Sequence, residues 1–554
     1  MRVPRSIVLA AVTAVALPLA ACGGGDSAGR DHPSDGRSPK AGGGRPSSSG
    51  AAPAPGAWIP GHVAEMSLEE KVGQLFVPTF SSAADAKAVI RRYHVGGLIF
   101  FPGNFSGGPA ATARLANSLQ QASRLPLLLS VDEEQGLVSR ARFLTRLPGN
   151  MALGATRRPE DAHAAARITG TELRAVGINQ DYAPVADVNV NPANPVIGIR
   201  SFGSDPALVA QMLTAAIGGY QSAGVAATAK HFPGHGDTAT DSHTGLPVIG
   251  HSRAEWERLD APPFQAAVRA GVDAIMSAHI VVPGLDRSGD PATLSKQVLT
   301  GLLRQRLGHQ GVIVTDSLRM EGARRRYGDG EVAVRAVNAG ADQLLMPPRL
   351  ATAYRAVLRA VRDGTIPRAR LDDAVTRILR LKEARGLFRG TAVDPARADA
   401  VIRSAAHRAT ARQIAEHAVT LVRNDSGLLP LRNRTVQVIG PRGDALMTAL
   451  RREGVRTAAS PAAADVIVLT TVDAGAATAA RIRSYAPKPV VVAALGAPYD
   501  LDHAAGARAT LATYSSGSAA VAALGRVLAG TVKPTGRLPV RAGGRQVGHG
   551  LTYH

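Results

Sequence analysis

Between residues 72 and 346 the chain repeats one unit: a near-continuous apolar run, then a stretch with helical spacing. The runs are VGQLFVPTF (72–80), VGGLIFF (95–101), LPLLLSVDEE (125–134), INQDYAPVADV (178–188), VAATAKHF (225–232), VDAIMSAHIVV (272–282), GVIVTDSL (311–318) and ADQLLM (341–346). Runs this apolar read as strands buried on both faces, which implies a parallel sheet covered by the intervening helices. PEDAHAAARITGTELRAVG and SKQVLTGLLRQRLG are two such helices, the second with Ser295 as its N-cap. About eight units in roughly 330 residues fit a (β/α)₈ barrel, with a doubly wound open sheet as the rival. In either fold a ligand meets the C-terminal strand ends. Asp132, Asp181, Asp187, Lys230, His231, His279 and Asp316 all fall there.

After LDDAVTRILRLKEARGLF come TVQVIGP, DVIVLTT, KPVVVAALGAPYDL and ATLATYSSGS. These are strand-like runs between helices, and the length suits one smaller α/β layered domain. No comparable polar cluster marks their ends, so this domain is expected to be structural or to rim the cleft. The expected division is a leader at 1–21, a tether at 22–57, the barrel at 58–392 and the α/β domain at 393–554.

The leader MRVPRSIVLAAVTAVALPLAAC has a basic start, a short apolar stretch and small residues before the only cysteine, Cys22. Leu19-Ala20-Ala21-Cys22 resembles a bacterial lipobox, which implies cleavage before Cys22 and a lipid on its sulfur. The expectation is an exported protein anchored to the outer face of the cytoplasmic membrane. The following Gly-, Ser- and Pro-rich segment has too little apolar surface to fold, so it reads as a tether. One cysteine excludes an intramolecular disulfide. Lys and Arg total 64 against 43 acids, a net charge of +21, but this excess is scattered and aromatics are only 4%. No nucleic-acid partner is therefore expected.

The most polar stretch is KHFPGHGDTATDSHTGLP (230–247). His231 and His235 stand four apart, as metal ligands on a helix would. Pro233, Gly234 and Gly236 argue against that helix and for a long functional loop leaving a strand. A metal-dependent hydrolase using His231, His235 and Asp237 is the alternative, and no metal or organic cofactor is expected. His235 is read as organising the loop, Asp237 as bracing it, and His279 as either a pocket or a core residue.

Together with SVDEEQGLVSR, RLPGNMALGAT, RSFGSDP, GVIVTDSLRM, AEHAVTLVRNDSGLLPL, TGRLPV and VGHGLTY, this loop resembles glycoside hydrolase family 3, in its β-N-acetylglucosaminidase branch. The resemblance runs from MSLEEKVGQLF onward. It implies Asp316 as nucleophile, His243 as general acid and base, and Asp241 as the residue that orients His243. It further implies that Asp132, Arg200, Lys230 and His231, with Arg140 and Asp181, hold the sugar. Imidazole, with a pKa near 6.5, suits the proton-transfer role, and a nearby Lys230 would keep Asp316 ionised. The third-strand motif departs from the commoner VDQEGGRV at Gln135 and Leu137, which bears on the rim and the aglycone. Ser317 stands where a second Asp is frequent.

The implied activity is retaining, exo-acting removal of terminal β-linked GlcNAc from cell-wall fragments or chitin oligomers; the sequence does not set the oligomeric state, with a monomer favoured. The alternatives are a β-glucosidase, a GlcNAc phosphorylase and a non-catalytic sugar-binding lipoprotein.

Overall fold

The computed structural model describes residues 56–553 except His243. Cys22 and the leader and tether of the sequence analysis therefore lie outside the described residues, and so does His243. Eight short parallel strands form a ring: β1 (Phe76–Val77), β2 (Gly97–Ile99), β3 (Leu128–Val131), β4 (Gln180–Asp181), β5 (Ala226–Phe232), β6 (Ala274–Ser277), β7 (Val312–Thr315) and β8 (Leu344–Leu345). Strands β2 to β7 pair in sequence order, and β1 pairs with β8. The ring closes through Thr315 N–H donating to Gln343 O (3.0 Å) and Ile99 N–H donating to Pro78 O (3.1 Å). Closure excludes the open doubly wound sheet.

All eight apolar runs contain a strand, yet each strand is shorter than its run. In the first run, Val72, Gly73 and Gln74 complete a helix, Leu68–Gln74, that begins with a reciprocal Ser67/Glu70 cap. Gly73 is required there, because a Cβ would stand 2.0 Å from Tyr93 O. The stretch expected to start at Ser295 is wound more loosely. Ser295 Oγ does accept from Val298 N–H (3.1 Å), while Leu307 N–H reaches back five residues to Leu302 O (2.9 Å).

Inside the ring, Val77, Ile99, Tyr182, Met276, Val314 and Leu345 form one buried layer. A larger apolar shell lies between strands and helices. Both are filled by apolar side chains, so the barrel is a packed core and its mouth is the place where polar groups collect.

The second domain is a six-stranded sheet ordered β11-β10-β12-β13-β14-β9: β9 (Thr420–Asn424), β10 (Thr435–Ile439), β11 (Arg456–Thr457), β12 (Val466–Thr471), β13 (Val490–Ala494) and β14 (Ala509–Ala512). Only β9 runs antiparallel, against β14. Strand alternation divides β12 between two cores. Val466 and Val468 face the helices Gly443–Arg452 and Ser518–Ala529. Ile467 and Leu469 share a core with Met151, Ala152 and Ala155 of the barrel-side helix Asn150–Thr156. The two domains therefore share buried apolar surface, reinforced by Arg157 Nη2 donating to Leu538 O (2.8 Å) and Ser204 N–H to Pro539 O (3.0 Å).

One buried charge belongs to the scaffold. Lys382, in the helix Arg368–Ala384, is 0% exposed; its Nζ donates to Gln74 Oε1 (2.6 Å), and among the described residues it has no ion-pair partner. Burial alone pushes its pKa down to about 7. An unfolded lysine keeps its proton to about pH 10.4, so above neutrality the unfolded chain binds more protons and folding gains stability as pH rises. Wild type should therefore gain up to about 1 kcal/mol per pH unit between about pH 7 and about pH 10 relative to Lys382→Met. Thermal melts of both proteins across that range check it; parallel curves would mean that Lys382 stays charged.

Candidate functional site

Four charges alternate across the barrel mouth. Lys230, near the end of β5, is 2% exposed, and its Nζ lies 2.7 Å from both Asp132 Oδ1 and Glu134 Oε1. Glu134 is also gripped by Arg200, whose Nε and Nη2 approach at 2.9 and 2.8 Å, and Arg200 Nη1 donates to Val196 O (3.0 Å). Asp132 and Glu134 follow β3 two residues apart, the spacing that sends both side chains to one side. Burial opposes the charges on Glu134, Lys230 and Arg200, yet the pairing outweighs it. The Glu134 carboxyl is held well below the usual carboxylate range by Arg200 and Lys230, while Lys230 is held above its ordinary value by Asp132 and Glu134.

Asp187 ties the next strand end to the long loop. Its Oδ2 meets His231 Nδ1 at 2.7 Å, and its Oδ1 accepts from the backbone N–H groups of His231 (3.1 Å) and His235 (2.8 Å). Asn194 Nδ2 donates to His235 O (2.9 Å) and Gly236 O (3.0 Å). Gly236 lies so close to Val188 that a Cβ would stand 1.7 Å from its carbonyl oxygen. The His235 ring reaches forward to Ser242 Oγ (2.9 Å), and burial pushes its pKa down to about 4, so it stays neutral at physiological pH. His235 thus braces the loop as expected, through one backbone amide and through its ring. Asp237 braces it too: Oδ2 lies 3.0 Å from His251 Nε2, whose Nδ1 is 2.7 Å from Asp260 Oδ2. The far end of the loop touches the segment after β7, where Gly322 N–H donates to Ser242 O (3.3 Å).

Asp316 directly follows β7, with its N–H on Ser277 O (3.2 Å) and its Oδ1 accepting from Ser317 N–H (2.6 Å). Burial pushes its pKa up, but His231, His279, the Ser317 amide and Lys230 together hold it below the usual carboxylate value. Lys230, expected to have this effect, contributes less than the two histidines. His279 is fully buried, with Nδ1 at 2.9 Å from Thr293 Oγ1 and Nε2 at 3.0 Å from Ser317 O. It supports the turn after Asp316.

One expected sugar contact needs correction. Asp181 is 0% exposed, and its Oδ1 accepts from Glu133 N–H (2.8 Å), so it lies behind the mouth and presents no surface. The Arg140 guanidinium is stacked over Phe101, 5.7 Å from the ring centroid, on the side of the mouth formed by β2. Asp132, Glu134, Lys230, His231, Arg200 and Asp316 are brought together; His243 lies outside the described residues. Glu134 and Asp187 were absent from the expected site set. Both were legible as carboxylates at strand ends, Glu134 through its i,i+2 relation to Asp132. Among the described residues, no group of three or more His, Cys, Asp or Glu side chains is arranged for a metal ion. His231, His235 and Asp237 are spent on Asp187, Ser242 and His251.

A barrel with an anionic carboxylate at one strand end and a charge-paired clamp across the others, joined to a smaller α/β domain, has its polar groups at the face where barrel enzymes carry their active sites. Residues 67–381 match the glycosyl hydrolase family 3 N-terminal domain and residues 452–548 its C-terminal domain. The chain belongs to glycoside hydrolase family 3. It is 36% identical over 386 residues to a β-N-acetylglucosaminidase/β-glucosidase of Cellulomonas fimi, covering 68% of each chain. It is 35% identical over 395 residues to the β-hexosaminidase LpqI of Mycobacterium tuberculosis, covering 69% of this chain and 98% of that one. A solved family 3 β-N-acetylglucosaminidase from Paenibacillus sp. superposes with a TM-score of 0.79 at 38% identity, covering 86% of this chain and 99% of that one.

Because Glu134 neutralises two buried cations, its removal leaves them facing each other. Glu134→Gln should lose about 3–5 kcal/mol of stability at neutral pH. The loss should shrink as pH falls below about 4, where an unfolded Glu is already protonated and the native carboxylate progressively follows. Denaturant unfolding of both proteins at neutral and acid pH measures it.

Proposed function

We propose that this chain is a retaining, exo-acting β-N-acetylhexosaminidase that removes terminal β-linked GlcNAc. The observation that carries the reading is Asp316, held ionised at the end of β7 beside the Asp132–Lys230–Glu134–Arg200 clamp. Relatives named as hexosaminidases share the barrel, and the Paenibacillus glucosaminidase shares both domains.

In this reading the clamp and His231 fix the hydroxyl and N-acetyl groups of one sugar. The Asp316 carboxylate attacks the anomeric carbon as the glycosidic C–O bond breaks, and His243 gives its proton to the departing oxygen. Water then attacks the glycosyl ester, His243 takes its proton, and Asp316 leaves as a carboxylate. Asp241 accepts a ring N–H of His243 and stabilises the imidazolium. No step needs a metal or an organic cofactor, since acid, base and nucleophile are side chains.

The lipobox-like Leu19-Ala20-Ala21-Cys22 and the tether after it support an exported enzyme anchored through lipid on Cys22 to the outer face of the cytoplasmic membrane. There it would act on GlcNAc-terminated cell-wall fragments or chitin oligomers and serve peptidoglycan turnover. Loss of labelled fatty acid from a Cys22→Ala form tests the anchor; equal labelling would refute it.

Hydrolysis of 4-nitrophenyl β-GlcNAc and β-glucoside separates the hexosaminidase from a β-glucosidase, and the faster substrate should be the GlcNAc one. Asp316→Ala should abolish turnover while keeping the fold. His243→Ala should lose about 10²- to 10⁴-fold on an alkyl glycoside and much less on the activated nitrophenyl one. Equal losses on both leaving groups would remove His243 from the proton-donor role.

A further inference from the structure

Beneath the clamp lie two carboxyl side chains that the mechanism does not use. Glu133 is 0% exposed and points away from its neighbours Asp132 and Glu134, as strand alternation requires. Its Oε2 accepts from the backbone N–H groups of Arg140 (2.8 Å) and Ala141 (2.9 Å), closing the loop that follows β3. Asp181, also 0% exposed, ends β4 beside Val131 and accepts Glu133 N–H on Oδ1. Asp181 thus spends one oxygen on the backbone of the clamp segment, and Glu133 one on the loop that follows it. The second oxygens, Glu133 Oε1 and Asp181 Oδ2, are buried with no hydrogen bond of good geometry, the Ser139 hydroxyl facing the first carboxyl and the Tyr220 hydroxyl the second.

The groups facing Asp181 are Glu133 and Asp132 from the β3 end, Lys230 from β5 and Tyr220 from the helix Pro206–Ser222. Those facing Glu133 include Ser139, Arg146 and Asp181. Lys230, which faces Asp181, is committed to Asp132 and Glu134. The Tyr220 hydroxyl lies 3.3 Å from the Glu133 carbonyl oxygen and also faces Asp181; with its proton on the carbonyl, its oxygen is free to accept from Asp181. A carboxylate buried with an unsatisfied oxygen is costly, whereas a carboxylic acid is neutral and its O–H can donate.

We propose that Asp181 and Glu133 are paired positioning residues that hold the Asp132–Glu134 segment onto Lys230, and that Asp181 does so as a neutral acid with its proton on Oδ2. Burial and the neighbouring Glu133 act in the same direction, keeping the Asp181 carboxyl well above its ordinary value. The pair acts only through Asp132 and Glu134, so it shapes substrate binding. This inference rests on the glycosidase reading of the site above it.

The test compares wild type, Asp181→Asn and Asp181→Ala on 4-nitrophenyl β-GlcNAc across pH. Asn is a neutral isostere that still accepts Glu133 N–H. It should keep kcat and KM within about twofold at neutral pH, while Ala, which leaves that amide unpaired, should raise KM about tenfold with a smaller change in kcat. In wild type, KM should rise at alkaline pH as the buried acid ionises, and Asp181→Asn should abolish that rise. An Asn form as impaired as the Ala form, an unimpaired Ala form, or an Asn form that retains the alkaline rise would each overturn the proposal.

If wild type hydrolyses no aryl glycoside, the glycosidase reading fails, and melts of wild type and Asp181→Asn still decide the protonation. An unfolded Asp ionises near pH 3.9, so a native neutral acid makes wild type lose stability relative to Asn as pH rises above about 4. Parallel melting curves would overturn it.

Discussion

The site depends on one ammonium group. Lys230 is drawn into the barrel mouth by two carboxylates, and Glu134 in turn fixes Arg200. Desolvating four charges is unfavourable unless each finds a partner, and here every carboxylate touches a cation at hydrogen-bonding distance. The mouth is therefore pre-shaped: its polar atoms are oriented before substrate arrives, which is the condition for spending little reorganisation energy at the reacting centre. The apolar layer of Val77, Ile99, Tyr182, Met276, Val314 and Leu345 beneath it keeps these contacts in a water-poor setting.

The loop after β5 depends on the same region. Asp187 holds its base, Asn194 holds the His235 and Gly236 carbonyls, and the His235 ring and Gly322 both reach Ser242. The second domain joins this frame at Asn189, whose Nδ2 donates to Tyr499 Oη (3.0 Å), and at Pro539 against Gly203 and Ser204. It braces the 187–203 segment that carries Arg200 and Asp187's neighbours, which gives the smaller domain a physical connection to the site without a charged cluster of its own.

Much of this was legible in the residues. The eight apolar runs mark the eight strands, and carboxylates at their C-terminal ends mark the mouth. Strand limits were less legible, because Gly73 and the Ser67 cap turn the start of the first run into helix. In the second domain β9 and β11 were not among the expected runs: β9 is antiparallel and ends in Arg423 and Asn424, and β11 has two residues. Pairings among side chains were the least legible. A sequence shows that Asp132, Glu133 and Glu134 are consecutive acids, but only the fold separates the two that face Lys230 from the one that supports the backbone. Likewise Asp181 looks like a strand-end ligand until its burial is seen.

The central claim is that Asp316, kept ionised beside this clamp, is the atom that bonds to the sugar. A fluorinated GlcNAc analogue that forms a slowly hydrolysed glycosyl-enzyme tests it, with peptide mass mapping of the labelled protein. The account predicts one sugar on the peptide that contains Asp316 and none in Asp316→Ala. A label on another carboxylate, or full turnover of GlcNAc glycosides by Asp316→Ala, would contradict it.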